Sequence, residues 1–333
     1  MGKRTLLDAI EGYYVSLALD HLLRHGVLDE LTGGKTSLQL AEQLGYDGEL
    51  FSALLDFIFQ TTDILQRDEG ERYSIAEPYH RYYSLGFQIT KFIASYGPAM
   101  MRLEDSLLDP QLGRNYVDRR AEADAYEKVG SPPNSIALQL IRERGFNTLI
   151  DLGCGTGSLL TTLAAANPKF LGWGVDATAE MCGVAERLIK AAGVSDRLKI
   201  VNGDAQTLGM ALSDDVRNQI EVVHAKGLLN ELFRNGGASA VRFLSGLREL
   251  FPGRYLIVVE YYGQLSRVRD VDDRYRHTLL HDMIQVLTAQ GVPPSDLAGW
   301  AEVYHRAGCS VEHAYEAESR GIKWCVHLVR LAA

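Results

Sequence analysis

A chain of 333 residues, 46% hydrophobic and 23% charged, can bury one large core or two ordinary ones without staples. Its formal net charge of −9, with no stripe of lysine and arginine, argues against a nucleic-acid partner. No stretch approaches the ~20 apolar residues of a spanning helix, and Cys154, Cys182, Cys309 and Cys325 fit neither a zinc site nor a disulfide framework, so they read as free thiols in a reducing, cytoplasmic compartment with no membrane partner.

The opening MGKRTLLDAIEGYY has too short an apolar run for a secretory signal. Residues 6–31, LLDAIEGYYVSLALDHLLRHGVLDEL, have apolar residues at helical spacing, with Tyr13 and Tyr14 read as core aromatics of that helix. Tyr13 and Tyr14 have a second reading, as front-domain residues that reach a partner's pocket. TSLQLAEQLG predicts a second helix, capped by Thr36 or Ser37 and stopped at Gly45, and DGELFSALLDFIFQT a third. DILQRDEGERYSIAE follows as two short strands around DEGE. Three helices and a hairpin make a winged-helix-like domain over residues 1–85. Its third helix carries no lysine or arginine and cannot neutralise phosphates, so the domain reads as a dimerisation or lid element. The apolar face of residues 5–28 exceeds what so small a domain buries alone, which predicts a homodimer. Residues 86–140 read as a helical connector, with Pro132–Pro133 just ahead of a helix.

From residue 141 to 333 the pattern alternates. The apolar runs NTLIDL, FLGWGVD, RLKIVNGD, QIEVVHAK and RYLIVVE each precede a helical stretch, which predicts a parallel sheet covered on both faces. GCSVEHAYEA and IKWCVHLVRL, separated by a turn at Gly321, predict a terminal antiparallel hairpin and seven strands in all. The loop DLGCGTG follows the first strand, where open parallel sheets bind ligands and where missing Cβ atoms let a ligand approach the backbone. A dinucleotide fingerprint fails because Ser158 stands where its third glycine belongs. GGKTS at residues 33–37 is no phosphate loop, since Asp29 occupies the first glycine position and no strand precedes it. Asp176 and Asp204 end the second and third strands; each alone could be a helix cap or a turn aspartate, with Thr178 an equally good cap.

Glycine loop, two acids in register with it and the hairpin together resemble the class I S-adenosylmethionine-dependent methyltransferases. The resemblance implies an α/β fold with a Rossmann-like seven-stranded sheet, and S-adenosylmethionine as cofactor. It assigns cofactor binding to Asp151, Gly153, Gly155, Gly157, Asp176, Asp204, Ala205 and Lys226, with Asp176 on the ribose hydroxyls and Asp204 near the adenine amino group.

Nearly the whole chain is similar to the dimeric small-molecule O-methyltransferases of plant and bacterial secondary metabolism. In HAKGLLNELF, Lys226 matches that family's lysine and Glu231 its acid, while Asn230 stands where the family has its general-base histidine. LIVVE supplies Glu260 beside that position, and LLHDMIQVLTAQGVPPSDLAGWAEVYHRAGC resembles the family's last helices. An amide takes no proton near neutral pH, so the base role does not carry over to Asn230. Asn230 is expected to line the acceptor pocket, with Glu260 or His281 as the base if one is needed. A general base contributes only ~10²–10⁴-fold, so transfer survives its loss. The chain also resembles bacterial C-methyltransferases of α-keto acids, some of which hold a metal. On that resemblance His277 and His281, with Asn230 and Glu231, would be the ligands, although His-x-x-x-His reads equally as structural or solvated histidines and no metal is assigned. His224 reads as a satisfied core histidine, and Trp300 and Trp324 as packing. The expected function is methyl transfer to oxygen or carbon of a small acceptor; Asn230 is the feature that favours the alternative, a cofactor-binding regulator without transfer.

Overall fold

The computed structural model describes residues 4–31, 35–79, 82–129, 134–208, 212–234, 236–265, 275–319 and 321–332, so Gly33 and Pro132–Pro133 lie outside the described residues. The chain divides into two compact units, one of residues 1–98 with 120–129 and one of residues 99–119 with 130–333. Residues 86–140 are therefore shared between the two.

In the first unit the helix Leu6–Arg24 starts at a reciprocal cap: Thr5 Oγ1 accepts the Asp8 N–H at 3.2 Å, and the Asp8 carboxylate accepts the Thr5 N–H at 2.7 Å. The expected helix over 6–31 is broken at Gly26, whose φ of +70° ends it, and the short turn Val27–Glu30 follows. Helix Ser37–Leu44 takes Thr36 as its cap and stops at Gly45 in the left-handed region; helix Gly48–Thr61 is capped by Asp47. Strands β1 (Leu65–Arg67) and β2 (Tyr73–Ile75) pair antiparallel. Leu22, Val27, Leu31, Leu40, Leu55 and Ile58 form the centre of the core. Tyr13 and Tyr14 are not in it. The inward face of the first helix is Val15, Ala18, Leu19 and Leu22, which leaves Leu6, Leu7, Ile10, Tyr13, Tyr14 and Leu17 at 46–78% exposure in the single chain.

In the second unit seven strands form one sheet in the order β5-β4-β3-β6-β7-β9-β8. β3 (Thr148–Leu152), β4 (Leu171–Asp176), β5 (Leu198–Asn202), β6 (Val222–Lys226) and β7 (Tyr255–Tyr261) run parallel, while β9 (Ile322–Leu331) lies antiparallel to β7 and to β8 (Cys309–Ser319). Ile150, Leu152, Val223, Ala225 and Val258 face a layer with Phe243, Leu244, Trp300 and Tyr304. Leu149, Val222, Ile257 and Val259 face the other layer, with Leu140, Ile141, Leu159 and Leu163. Both faces being covered explains why these strands read as near-continuous apolar runs. Strand order reverses between β3 and β6, so the glycine loop after β3 opens at the topological switch point. No helix among the described residues is long and apolar enough to cross a membrane.

Helix Arg276–Leu287 packs on the short helices Leu103–Leu108 and Pro110–Asn115. The contact depends on Gly113: a Cβ there would run into the Leu287 carbonyl oxygen and come within 2.9 Å of Ser106 Oγ. Gly113→Ala should therefore destabilise the protein by ~1–3 kcal/mol through overpacking. Thermal denaturation checks this, and an unchanged melting temperature would mean that the two helices are not packed so closely.

Candidate active site

The loop after β3 is shaped by three glycines in the left-handed region, with φ of +69° at Gly153, +53° at Gly155 and +68° at Gly157. The Gly153 and Cys154 N–H groups donate to the Val175 carbonyl at 2.8 and 3.1 Å, which draws the loop onto the end of β4. Asp176 completes the tie: its Oδ2 accepts the Gly155 N–H and its Oδ1 the Thr178 N–H, both at 2.8 Å. Burial raises the Asp176 carboxyl above the ordinary carboxylate range, and the two N–H donors oppose that rise. Each oxygen keeps a lone pair for a further donor. A Cβ at Gly155 would meet nothing within 4 Å, so space lies open over the loop, whereas a Cβ at Gly157 would come to 3.4 Å from Ala185, an ordinary contact, and it is the left-handed φ that requires glycine there. Thr178 occupies the N-cap of helix Ala179–Ala191 but makes no side-chain cap bond.

Asp204 is exposed just past β5; its Oδ1 accepts the Gln206 N–H at 2.8 Å and caps the turn Ala205–Thr207. Asp204 is thus a turn aspartate by structure while standing in line with Asp176. Asn202, which the sequence did not single out, donates from Nδ2 to the Asp176 carbonyl at 3.0 Å. An open loop, a carboxylate with spare acceptor capacity beside it and a second acid at the next strand end suit a ligand carrying a diol and an amino group, as an adenosine does. All four cysteines are buried and free of disulfides.

Asp151 lies deeper. The register places it opposite His224, and its Oδ1 meets His224 Nδ1 at 2.6 Å with both residues buried. His224 Nε2 has no hydrogen-bond partner among the described residues.

A second cluster forms at the ends of β6 and β7. Lys226, partly buried, ends β6; the turn Leu229–Leu232 follows and carries Asn230. Glu260 reaches over from β7 and its Oε1 accepts the Leu229 and Asn230 N–H groups at 2.8 and 3.2 Å. Glu260 Oε2 and Asn230 Oδ1 are buried with no hydrogen-bond partner among the described residues. Burial lifts the Glu260 carboxyl to about 8, with the backbone N–H donors pulling it back. Glu231 is partly exposed, with its carboxylate 3.6 Å from Arg114 Nη2.

His281, on helix Arg276–Leu287, stands edge-on to the Tyr261 ring at 4.8 Å, with its Nε2 3.5 Å from Gln285 Nε2. Tyr261 donates to Asp282 Oδ1 at 2.8 Å, and Asp282 Oδ2 accepts the Gln264 and Leu265 N–H groups at 2.7 and 2.8 Å. Sequence reasoning passed over Asp282; its only trace was a carboxylate beside His281 on a mainly apolar stretch. His277 is partly buried on the same helix. Among the described residues no group of three or more His, Cys, Asp or Glu side chains gathers at metal-binding distance, so His277, His281 and Glu231 are not assembled as a ligand set.

Residues 146–304 match the family model of a methyltransferase domain. A 2-ketoarginine methyltransferase from Streptomyces arginensis is 25% identical over 94% of this chain and 90% of its own length. Among solved structures, mitomycin 7-O-methyltransferase superposes with a TM-score of 0.70 at 17% identity, over 98% of this chain and 96% of that one. An O-methyltransferase from neocarzinostatin biosynthesis, in complex with S-adenosylmethionine and 2-hydroxy-5-methyl naphthoic acid, gives 0.66 at 16% identity, over 98% and 99%. At these identities the structural likeness establishes the fold: a helical N-terminal region followed by the mixed seven-stranded sheet.

The raised Glu260 carboxyl has a thermodynamic consequence. It is protonated in the fold up to about 8 but ionises near 4.5 in the unfolded chain. Its contribution to stability is full below the unfolded value and is lost as pH rises through the folded one. Glu260→Gln, which cannot ionise, should gain ~1–3 kcal/mol over the native protein between about pH 5 and about pH 8.5. Denaturant titrations at several pH values check this; a stability difference independent of pH would show that Glu260 does not titrate in that window.

Proposed function

We propose, from the premise that residues 146–304 are an S-adenosylmethionine-dependent methyltransferase domain, that this enzyme methylates a small organic acceptor at oxygen or at an enolic carbon in natural-product metabolism. One observation carries the acceptor assignment: two side-chain oxygens, Asn230 Oδ1 in the turn after β6 and Glu260 Oε2 near the end of β7, are buried and have no partner among the described residues. Buried polar atoms left unsatisfied in a native fold call for a missing partner, and an acceptor hydroxyl or enol supplies it. The name of the 2-ketoarginine methyltransferase supports a small acceptor, as do the mitomycin and naphthoic acid of the structural neighbours.

The cofactor supplies the methyl group on a sulfonium, which is the hard part of the chemistry. The chain's task is to bind, orient and manage a proton. Asp176 is assigned the ribose hydroxyls, and Gly153, Gly155 and Gly157 the close backbone approach; Asp204 and Ala205 lie toward the adenine. Asn230 orients the acceptor by hydrogen bonding and takes no proton. Glu260 Oε2 receives the acceptor's proton: at neutral pH a carboxyl of about 8 is mainly protonated but keeps a fraction of carboxylate. His281 is the second candidate base, held by Tyr261. A 2-oxo acid methylated at its enol carbon is the second acceptor class, favoured by the name of the relative that matches most of the chain.

Labelled S-adenosylmethionine incubated with a metabolite extract tests transfer; a chain that binds cofactor and never labels a product is the regulator that Asn230 would allow. Asp176→Ala should weaken binding of the demethylated cofactor on the order of 100-fold by calorimetry, through loss of charge-assisted hydrogen bonds. Asn230→Ala should leave that binding intact and lower kcat/KM for the acceptor about 10–100-fold. Intact acceptor kinetics in Asn230→Ala would remove it from the acceptor site.

The winged-helix-like first unit is proposed as a homodimerisation module, supported by the exposed stripe of Leu6, Ile10, Tyr13 and Leu17. Sedimentation at micromolar concentration should give twice the chain mass, and Leu6→Glu with Tyr13→Glu should shift it to one; a monomeric native protein with full activity contradicts the assignment.

A further inference from the structure

Among the described residues of the first unit, Lys91 is a cation that makes no ion pair. Residues Thr90–Ser95 form a π-helical turn, a wide and costly backbone conformation found mostly where function requires it. Lys91 sits on that turn. Its ammonium lies 5.7 Å from the centre of the Phe87 ring and 5.9 Å from that of Phe92. Phe87 in turn meets Tyr126, on helix Arg119–Val129, edge to face at 5.3 Å. Phe87, Lys91, Phe92 and Tyr126 are all partly exposed.

The ring faces stabilise the cation but offer no hydrogen-bond acceptor. An ammonium has three N–H donors. Lys91 has no hydrogen bond or ion pair with a described residue, and its ammonium is desolvated enough to be lowered from the ordinary lysine value. Among the described residues the Glu122 carboxylate acts on it electrostatically, opposing that shift. An anion would pair with the ammonium, and an apolar body on that anion would rest against the three rings. The negative charge of Glu122 disfavours a multiply charged anion such as a phosphate ester, so a monoanion fits best.

We propose that Phe87, Lys91, Phe92 and Tyr126 form a binding site for a small monocarboxylate carrying an aromatic or branched apolar body. Such a carboxylate is an effector, bound within the first unit and separate from the methyl acceptor.

The test uses the full chain with 3-phenylpropionate as probe, read by calorimetry or saturation-transfer NMR. The native protein should bind it saturably, with Kd in the range of ~1–10 mM or tighter, and bind neutral 3-phenylpropanamide and dianionic phenyl phosphate more weakly. Lys91→Met, which keeps the stem and loses the charge, should weaken the carboxylate at least about tenfold, while Lys91→Arg stays within about threefold. Binding of the demethylated cofactor should be equal in all three proteins, so a failure here leaves the methyltransferase reading untouched. The site is overturned if the native protein shows no saturable binding, if Lys91→Met binds the carboxylate as well as the native chain, if Lys91→Arg loses as much as Lys91→Met, or if the amide binds as well as the acid.

Discussion

Where a strand of a parallel sheet ends and the chain turns away, backbone N–H groups lose their ladder partners and must find others. In the second unit three buried or half-buried carboxylates meet that need, and each accepts two of these groups. Asp176 takes Gly155 and Thr178, Glu260 takes Leu229 and Asn230, and Asp282 takes Gln264 and Leu265. The glycine loop, the turn after β6 and the segment after β7 are each pinned this way.

The arrangement has an electrostatic cost that differs from one carboxylate to the next. Burial raises all three carboxyls and backbone donors lower them again. Asp282 adds the Tyr261 hydroxyl as a third donor, so both of its oxygens are engaged. Glu260 is fully buried with one oxygen unpartnered, and its carboxyl alone of the three is driven to about 8. A group that only buttressed a turn would be better served by two satisfied oxygens. The incomplete one stands beside Asn230, whose Oδ1 also has no partner among the described residues, and this coincidence supports the proposed acceptor assignment.

What the sequence conveyed follows from how local each signal is. The glycines, Asp176, Asp204 and Glu260 stand at fixed offsets from strand ends, and strands buried on both faces are plain apolar runs, so these positions were legible. Strand order was not, because nothing in β3 or β6 records which strand lies beside it. The Asp151–His224 contact joins residues 73 apart through that order alone. Asp282 was missed for the same reason: its partners lie 17–21 residues back, across a turn with no periodic trace. Tyr13 and Tyr14 were misplaced because apolar residues occupy nearly every side of the first helix, and such a pattern does not choose an inward face. The glycine that divides that helix was visible as Gly26, yet glycine inside an apolar run is tolerated too often to mark a break by itself.

The identity of the residue at 230 bears on the acceptor through proton affinity. With an amide there, position 230 supplies no base, and the buried carboxyl hydrogen-bonded to its backbone is Glu260 at about 8. A phenolic hydroxyl with an ordinary value near 10 lies about two units above that, so passing its proton to Glu260 is uphill by about 2.7 kcal/mol, a small share of a methyl-transfer barrier. A stabilised enol or a hydroxyl beside a carbonyl is more acidic and narrows the gap further. An unactivated alcohol or an ordinary carbon acid is far weaker, and a lone carboxylate does not bridge that difference. The pairing of Asn230 with Glu260 therefore suits acceptors that arrive already acidic, whether they are methylated at the oxygen that loses the proton or at the carbon conjugated to it.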